Sequence, residues 1–172
     1  MLHVALLRGV NLGPNRRVAM GDLKALFETL GFGGVRTLIQ SGNVVFSSTG
    51  SVTEDAIEAA VSDRFGMPIE VMLRTQRQMK AIVANNPFAD AEVRAIHVGY
   101  MRAAPPAADV RRLDVDDLAP EQAVVMGKEV YFHLPNGMGR TRLPDHVGRH
   151  LSIPTTVRNW NTTLRLLEMM TT

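Results

Sequence analysis

The feature that most constrains this chain is that it spells one pattern twice. The run His3-Val4-Ala5-Leu6-Leu7-Arg8 is paralleled by His97-Val98-Gly99-Tyr100-Met101-Arg102. Gly42-Asn43-Val44-Val45-Phe46 is paralleled by Gly127-Lys128-Glu129-Val130-Tyr131-Phe132, Gly66-Met67-Pro68 by Ser152-Ile153-Pro154, and Arg74-Thr75 by Arg158-Asn159. The offsets are 94, 85, 86 and 84 residues. The first differs because the stretch between strand and hairpin differs in length. A repeat at this spacing makes each half one supersecondary unit, too small to stand comfortably alone.

Patterning within the first half gives the order of elements. Leu2–Leu7 is an apolar run of buried-strand type. Leu23, Leu26, Phe27 and Leu30 recur at helical spacing over 18–30, and Gly31 stops them. Strands are expected at 35–39 and 44–47, joined by a tight turn at Ser41-Gly42-Asn43. Thr53, Glu54 and Asp55 open a helix that Gly66 closes. A strand follows at 69–74. Thr75 and Gln78 then make a capping box for a helix to Ala84, which Asn85-Asn86-Pro87 ends.

The second half predicts a strand at 96–102, a short helix near 107–112 and an acidic loop at 113–120. Strands at 122–126 and 129–134, a helix at 145–151, a strand at 155–158 and a helix at 161–170 complete it. Each half therefore reads β-α-β-β-α-β with one more helix. That is the split-βαβ, ferredoxin-like unit of an α+β protein, an antiparallel sheet with helices on one face. The expected halves are 1–86 and 87–172, forming one compact, pseudo-duplicated unit.

The 172 residues can bury roughly 70% of their unfolded surface, so the core needs no staples. Cysteine is absent, which excludes disulfides, thiolate nucleophiles and cysteine-ligated metals. No apolar run approaches the ~18–20 residues that span a bilayer. With the first strand starting at Leu2, no room is left for a signal peptide, and a cytoplasmic protein without a membrane partner is expected.

Charge is distributed unevenly. Residues 1–50 carry five basic and two acidic side chains, 51–134 nine and thirteen, and 135–172 five and two. Basic ends around an acidic middle suit an anionic ligand if they form one positive face. They are equally what a chain rich in arginine, with 16 of its 19 basic residues of that type, spells on its surface.

Several long strings carry a family resemblance. They are Ala5-Leu6-Leu7-Arg8-Gly9-Val10-Asn11-Leu12-Gly13, Ile39-Gln40-Ser41-Gly42-Asn43-Val44-Val45-Phe46, Asn86-Pro87-Phe88, His133-Leu134-Pro135-Asn136-Gly137-Met138-Gly139-Arg140 and Thr156-Val157-Arg158-Asn159-Trp160-Asn161-Thr162. Together they resemble the mainly bacterial family catalogued as domain of unknown function 1697, over essentially the whole chain. The resemblance implies tandem ferredoxin-like halves and brings no established reaction. Two departures stand out: Pro14 where a second glycine is usual, and Thr141-Arg142 where Ser-Lys is common. Pro14 removes one backbone donor from its loop.

Candidate chemistry concentrates in two glycine-bearing loops. Arg8 to Arg17 joins a strand to a helix and holds Asn11 and the adjacent Arg16 and Arg17. A helix N-terminus behind such a turn is where phosphates bind, although neither a P-loop nor the dinucleotide fingerprint is present. The same glycines also suit a plain tight turn, with Asn11 bonded to backbone. Pro135 to Arg142 offers Asn136, Arg140 and Arg142. The anion-binding candidates are thus Arg8, Asn11, Arg16, Asn136, Arg140 and Arg142. Gln40 and Asn43, on the hairpin turn, and Arg158, Asn159 and Trp160 are secondary candidates. The last three form either a stacking platform or a packing anchor at a helix start.

His146 and His150 share a helix face, yet no third ligand accompanies them, so no metal and no cofactor is expected. His3 and His97 read as structural. No nucleophile elbow exists and no general base can be named, so the sequence does not decide whether the protein is an enzyme. The best-supported expectation is binding of an anionic small ligand, such as a nucleotide or phosphorylated metabolite. The alternatives are a nucleic-acid-binding module, against which the low aromatic content of 5% speaks, and a structural or regulatory protein without a ligand.

Overall fold

A computed structural model describes residues 1–172. The first half forms β1 (Leu2–Leu7), α1 (Met20–Thr29), β2 (Gly33–Leu38), β3 (Asn43–Ser47), α2 (Glu54–Phe65), β4 (Val71–Thr75) and α3 (Gln76–Ala84). The second forms β5 (Ile96–Met101), α4 (Ala107–Arg111), β6 (Gln122–Met126), β7 (Glu129–His133), α5 (Leu143–Leu151), β8 (Thr155–Asn159) and α6 (Trp160–Thr171). Short 3-10 turns lie at Val93–Ala95 and Asp116–Leu118. Two four-stranded sheets result, ordered β2-β3-β1-β4 and β6-β7-β5-β8, and every pairing is antiparallel. The protein is α+β, with the split-βαβ order in both halves.

By compactness the chain divides into Met1–Ala81 with Leu166–Thr172, and Ile82–Arg165. The last residues belong to the first unit, where the Arg36 guanidinium donates to the Met169 carbonyl and the Gln76 amide to that of Met170.

In the first unit, Ala5, Leu7, Val44, Phe46 and Val71 share one sheet face. Leu23 and Phe27 of α1 and Ile57 and Val61 of α2 pack on it. Phe27, Phe32 and Phe46 form an aromatic cluster with centroids 4.5–5.8 Å apart. The opposite face of the same strands is also buried, at Val4, Leu6, Val45 and Met72. That explains why β1 reads as a continuous apolar run rather than an alternating one. In the second unit, Met101, Val130 and Phe132 carry Leu143, Val147 and Leu151 of α5, with Val110 of α4 alongside.

The ends of elements follow local chemistry. Thr53 caps α2 by accepting from the Ala56 amide at 3.3 Å, and Gly66 closes it in the left-handed conformation. The capping box forms reciprocally: the Thr75 amide donates to Gln78 Oε1 (2.8 Å) and the Gln78 amide to Thr75 Oγ1 (3.2 Å). α5 starts at Leu143, earlier than Asp145, with Pro144 inside its first turn. Proline is accepted there because first-turn amides have no intrahelical acceptor.

Gly99 is the tightest point of the second sheet. A Cβ at this position would lie 2.5 Å from Val130 Cγ1, 3.1 Å from Thr155 Cγ2 and 3.2 Å from Phe132 Cε2. The register partner position in the first unit is Ala5, which does hold a methyl group. Gly99→Ala is therefore expected to lower stability by about 1–3 kcal/mol through overpacking. Urea melts would show a reduced midpoint at unchanged slope; an unshifted midpoint would contradict this packing.

Candidate functional site

The loop from Arg8 to Ala19 leaves the end of β1 and enters α1. Its path is held from both sides. The Leu7 amide donates to the Gly42 carbonyl and the Arg8 amide to that of Glu70, each at 2.9 Å. Across the loop's own neck the Asn11 amide donates to the Arg16 carbonyl at 2.7 Å. Asn11 sits at φ 57°, a left-handed conformation that asparagine tolerates better than most residues. Its Nδ2 donates to the carbonyls of Val18 (2.9 Å) and Gln40 (2.6 Å), and its Oδ1 accepts from the Val18 amide (2.8 Å).

Arg16 is likewise turned onto backbone. Its Nε donates to the Gly9 carbonyl at 2.7 Å and its Nη2 to that of Pro68 at 3.1 Å. Arg8 pairs with Glu70 at 2.5 Å on the surface. The expected candidates Arg8, Asn11 and Arg16 thus come together, but their polar atoms hold protein groups and shape the loop. Grooves flank it on two sides. One, of about 390 Å³, is lined by Arg8, Gly9, Arg16, Pro68 and Glu70. The other, of about 620 Å³, is lined by Asn11, Gly13, Pro14, Arg17, Val18, Ala19 and Gln40.

The larger groove opens at the start of α1. Ala19 occupies the cap position and offers no side-chain acceptor to the first-turn amides. Arg17 is exposed and makes no hydrogen bond or ion pair within the protein. Asp22, the one acid of that turn, leans toward Arg64 at 3.9 Å. Sequence reasoning preferred Arg16 to Arg17. Only the tertiary contacts with Gly9 and Pro68 distinguish the two neighbours.

The hairpin turn corrects one expectation. Positive φ falls on Ile39 (49°) and Gly42 (78°), not on Asn43. Asn43 is instead the first residue of β3, fully buried, with Nδ2 donating to the Leu38 carbonyl (3.0 Å) and Ser41 Oγ (2.9 Å). Gly42 is required by close approach, since a Cβ there would stand 2.6 Å from Val10 Cγ2 and 2.9 Å from Leu7 Cβ.

In the second unit the loop from Pro135 to Arg142 leads from β7 to α5. Asn136 and Arg140 are exposed, and Arg142 stands at the cap of α5. Thr141 Oγ1 donates to Glu121 Oε2 at 2.6 Å and accepts from the Leu143 amide at 3.1 Å. Arg142 also lines a groove of about 310 Å³ with Asp114, Val115, Asp117, Leu118, His146 and Arg149. His146 and His150 donate through Nε2 to the carbonyls of Asp114 (2.7 Å) and Asp109 (2.8 Å), tying α5 to the segment before β6.

Arg158 is buried, donating through Nη1 to Thr156 Oγ1 (2.6 Å) and the Val157 carbonyl (3.0 Å). Burial pushes its guanidinium down to about 10, against a smaller opposing effect of Tyr100, and it remains cationic at neutral pH. Trp160 is buried at the first turn of α6, whose Thr162 amide donates to Asn159 Oδ1 at 2.8 Å. Burial of Trp160 and Arg158 leaves no exposed ring beside a free guanidinium.

A model of the family DUF1697, described as a protein of unknown function, matches residues 1–131. No curated protein matches the chain. Among solved structures the chain is similar to the conserved bacterial protein SP0830 from Streptococcus pneumoniae. The TM-score is 0.67 and the identity 21%, over 99% of this chain and 98% of that one. At that identity the likeness concerns the fold alone.

Two expectations follow from these contacts. Asn11→Ala removes three side-chain hydrogen bonds at a left-handed position, so stability should fall by about 1–3 kcal/mol; an unchanged chemical melt would deny the staple. His3 and His97 have pKa values held below 6.5, chiefly by burial. Their unfolded forms therefore take up protons near pH 6.5 that the folded forms refuse. Their stabilising contribution is complete above that pH and is lost as pH falls through it toward the lower folded values. Melting temperature should drop between pH 7.5 and 5.5, and less so in a His97→Gln variant; an equal drop would exclude His97 as a source.

Proposed function

The chain belongs to the DUF1697 family, and from that premise we propose that it binds an anionic small ligand, a nucleotide or phosphorylated metabolite, at the loop between β1 and α1. The observation that carries this reading is the groove of about 620 Å³ where Arg17 stands unpaired beside the uncapped start of α1. First-turn amides of a helix lack intrahelical acceptors, and the aligned peptide dipoles place roughly half a positive charge there. An oxyanion satisfies both, and an arginine fork adds bidentate hydrogen bonds. Asn11 and Arg16 keep the loop in shape, and Gln40 supplies an amide at the groove's rim.

Pro14 removes a donor from the loop, so the amides that serve an anion are those at the start of α1 rather than a glycine-rich cradle. Arg140, exposed in the loop before α5 of the second unit, serves as the internal control.

Calorimetric titration with inorganic phosphate, AMP and ATP tests the reading. Arg17→Ala should weaken binding at least tenfold while stability stays within about 0.5 kcal/mol, as for an exposed side chain. Arg140→Ala should leave affinity unchanged. Loss of binding in Arg140→Ala alone would move the site to the other loop. Absence of binding by all three compounds to the wild type would end the proposal. A steep loss of affinity for oligonucleotides with added salt, without mononucleotide binding, would favour nucleic acid instead.

A further inference from the structure

Both sheets end on a strand that follows the second helix of its unit, and the two units finish that edge differently. In the first unit the Arg8 amide bonds the Glu70 carbonyl, which sets the alternation of the β1–β4 ladder. Peptide groups of Val71 and Leu73 therefore point away from β1. They are not left open. The Val71 amide donates to Glu58 Oε1 at 2.8 Å and the Leu73 amide to Glu54 Oε1 at 3.3 Å. The outward Leu73 carbonyl accepts from Arg74 Nη1 at 2.8 Å. Two carboxylates of α2 and one arginine thus close the edge, one of the ways in which proteins prevent edge pairing.

The second unit has the same alternation. The Arg102 amide bonds the Pro154 carbonyl at 2.9 Å, so Thr155 and Val157 face away from β5. Arg158 Nη1 reaches the Val157 carbonyl at 3.0 Å, repeating Arg74. The carboxylates have no counterpart. α2 has 12 residues and α5 has 9, and they end on the matching left-handed caps Gly66 and Ser152. Counted back from those caps, Glu58 corresponds to Pro144 and Glu54 to the loop residue Arg140. The outward amides of Thr155 and Val157 have no acceptor in the protein, and both residues are partly exposed.

We propose that the outer edge of β8 is a docking strand for an extended acidic peptide, whose backbone carbonyls accept from Thr155 and Val157. Main-chain pairing of this kind supplies affinity while alternate side chains set preference. The preference for acid follows from charge. The side-chain charge placed at this edge is cationic: the Arg158 guanidinium lies on the outward Val157 carbonyl at 3.0 Å, and by the same count Arg140 stands where the first unit has Glu54. A second copy of the chain would bring the same arginines to the pairing, whereas an acidic segment is attracted by them. The peptide takes the place that Glu54 and Glu58 hold in the first unit.

Two measurements on the full chain test this. Amide hydrogen exchange by NMR should be fast at Thr155 and Val157 and at least tenfold slower at Val71 and Leu73; protection at Thr155 and Val157 would overturn the open edge. Fluorescence anisotropy with a labelled Glu-Val-Glu-Val-Glu-Val-Glu peptide should show saturable binding, with shifts at the Thr155 and Val157 amides. The Lys-Val analogue should bind at least tenfold more weakly. Val157→Pro removes an outward donor without touching the bonds to β5, and Pro144→Glu returns a carboxylate to the Glu58 position; each should reduce binding at least tenfold. No saturable binding, equal binding of the basic peptide, or self-association at the same amides would overturn the proposal. If Val157→Pro unfolds the protein, the exchange rates and Pro144→Glu decide.

Discussion

β1 and β5 are hydrogen-bonded along both edges and buried on both faces, and each unit is built outward from that strand. A central strand of this kind has one register available to it, because a slip of one residue would move every side chain to the other face and break two ladders. The ends of β1 and β5 are consequently fixed points. The loops that leave them start from known positions, and their bonds to neighbouring strands can form repeatedly with the same geometry. The first-unit loop from Arg8 to Ala19 uses this directly, since its first anchors are the Gly42 and Glu70 carbonyls of the strands or turns beside β1.

Most of the charged and amide side chains of that loop serve its conformation. A loop of this length carries many backbone groups that need partners; Asn11 and Arg16 satisfy three of them and also bond the Gln40 and Pro68 carbonyls outside the loop. Asn15, Arg17 and the start of α1 remain to face outward. The division matters for reading function from sequence, because two adjacent arginines of equal chemistry have opposite roles. One is bound to Gly9 and Pro68, and the other is unpaired at a groove.

The two units show how one fold diverges at its periphery while its centre is kept. The paired histidines at positions 3 and 97, the buried Arg74 and Arg158, and the capped helices that follow β4 and β8 recur in both. What differs is the reach of the second helix and the loop before it. A helix longer by three residues lets α2 bring Glu54 to β4, and its Glu58 stands where α5 has Pro144; the shorter α5 leaves room for a longer basic loop and an outer edge of β8 without carboxylates. Gly99 against Ala5 is the same kind of difference inside the core, where Val130 occupies the space that a methyl group would need.

Sequence alone determined the order and type of the elements, the duplication and the sheet class. Those depend on short-range periodicity, on capping residues such as Thr53, Thr75 and Gly66, and on apolar runs whose spacing is visible in a window of ten residues. It also located the two loops where polar groups gather. Tertiary structure alone decided which of those groups are engaged. Arg16 finds Pro68, Asn11 finds Gln40 and Glu58 finds Val71 only after the sheet has brought distant segments together, and nothing in the local pattern separates Arg16 from Arg17 or Glu58 from any other helical glutamate. Asn43 makes the same point: its neighbours suggested a turn residue, but pairing with β1 and β2 draws it into the strand, where its amide must bond to Leu38 and Ser41 because burial leaves it no water.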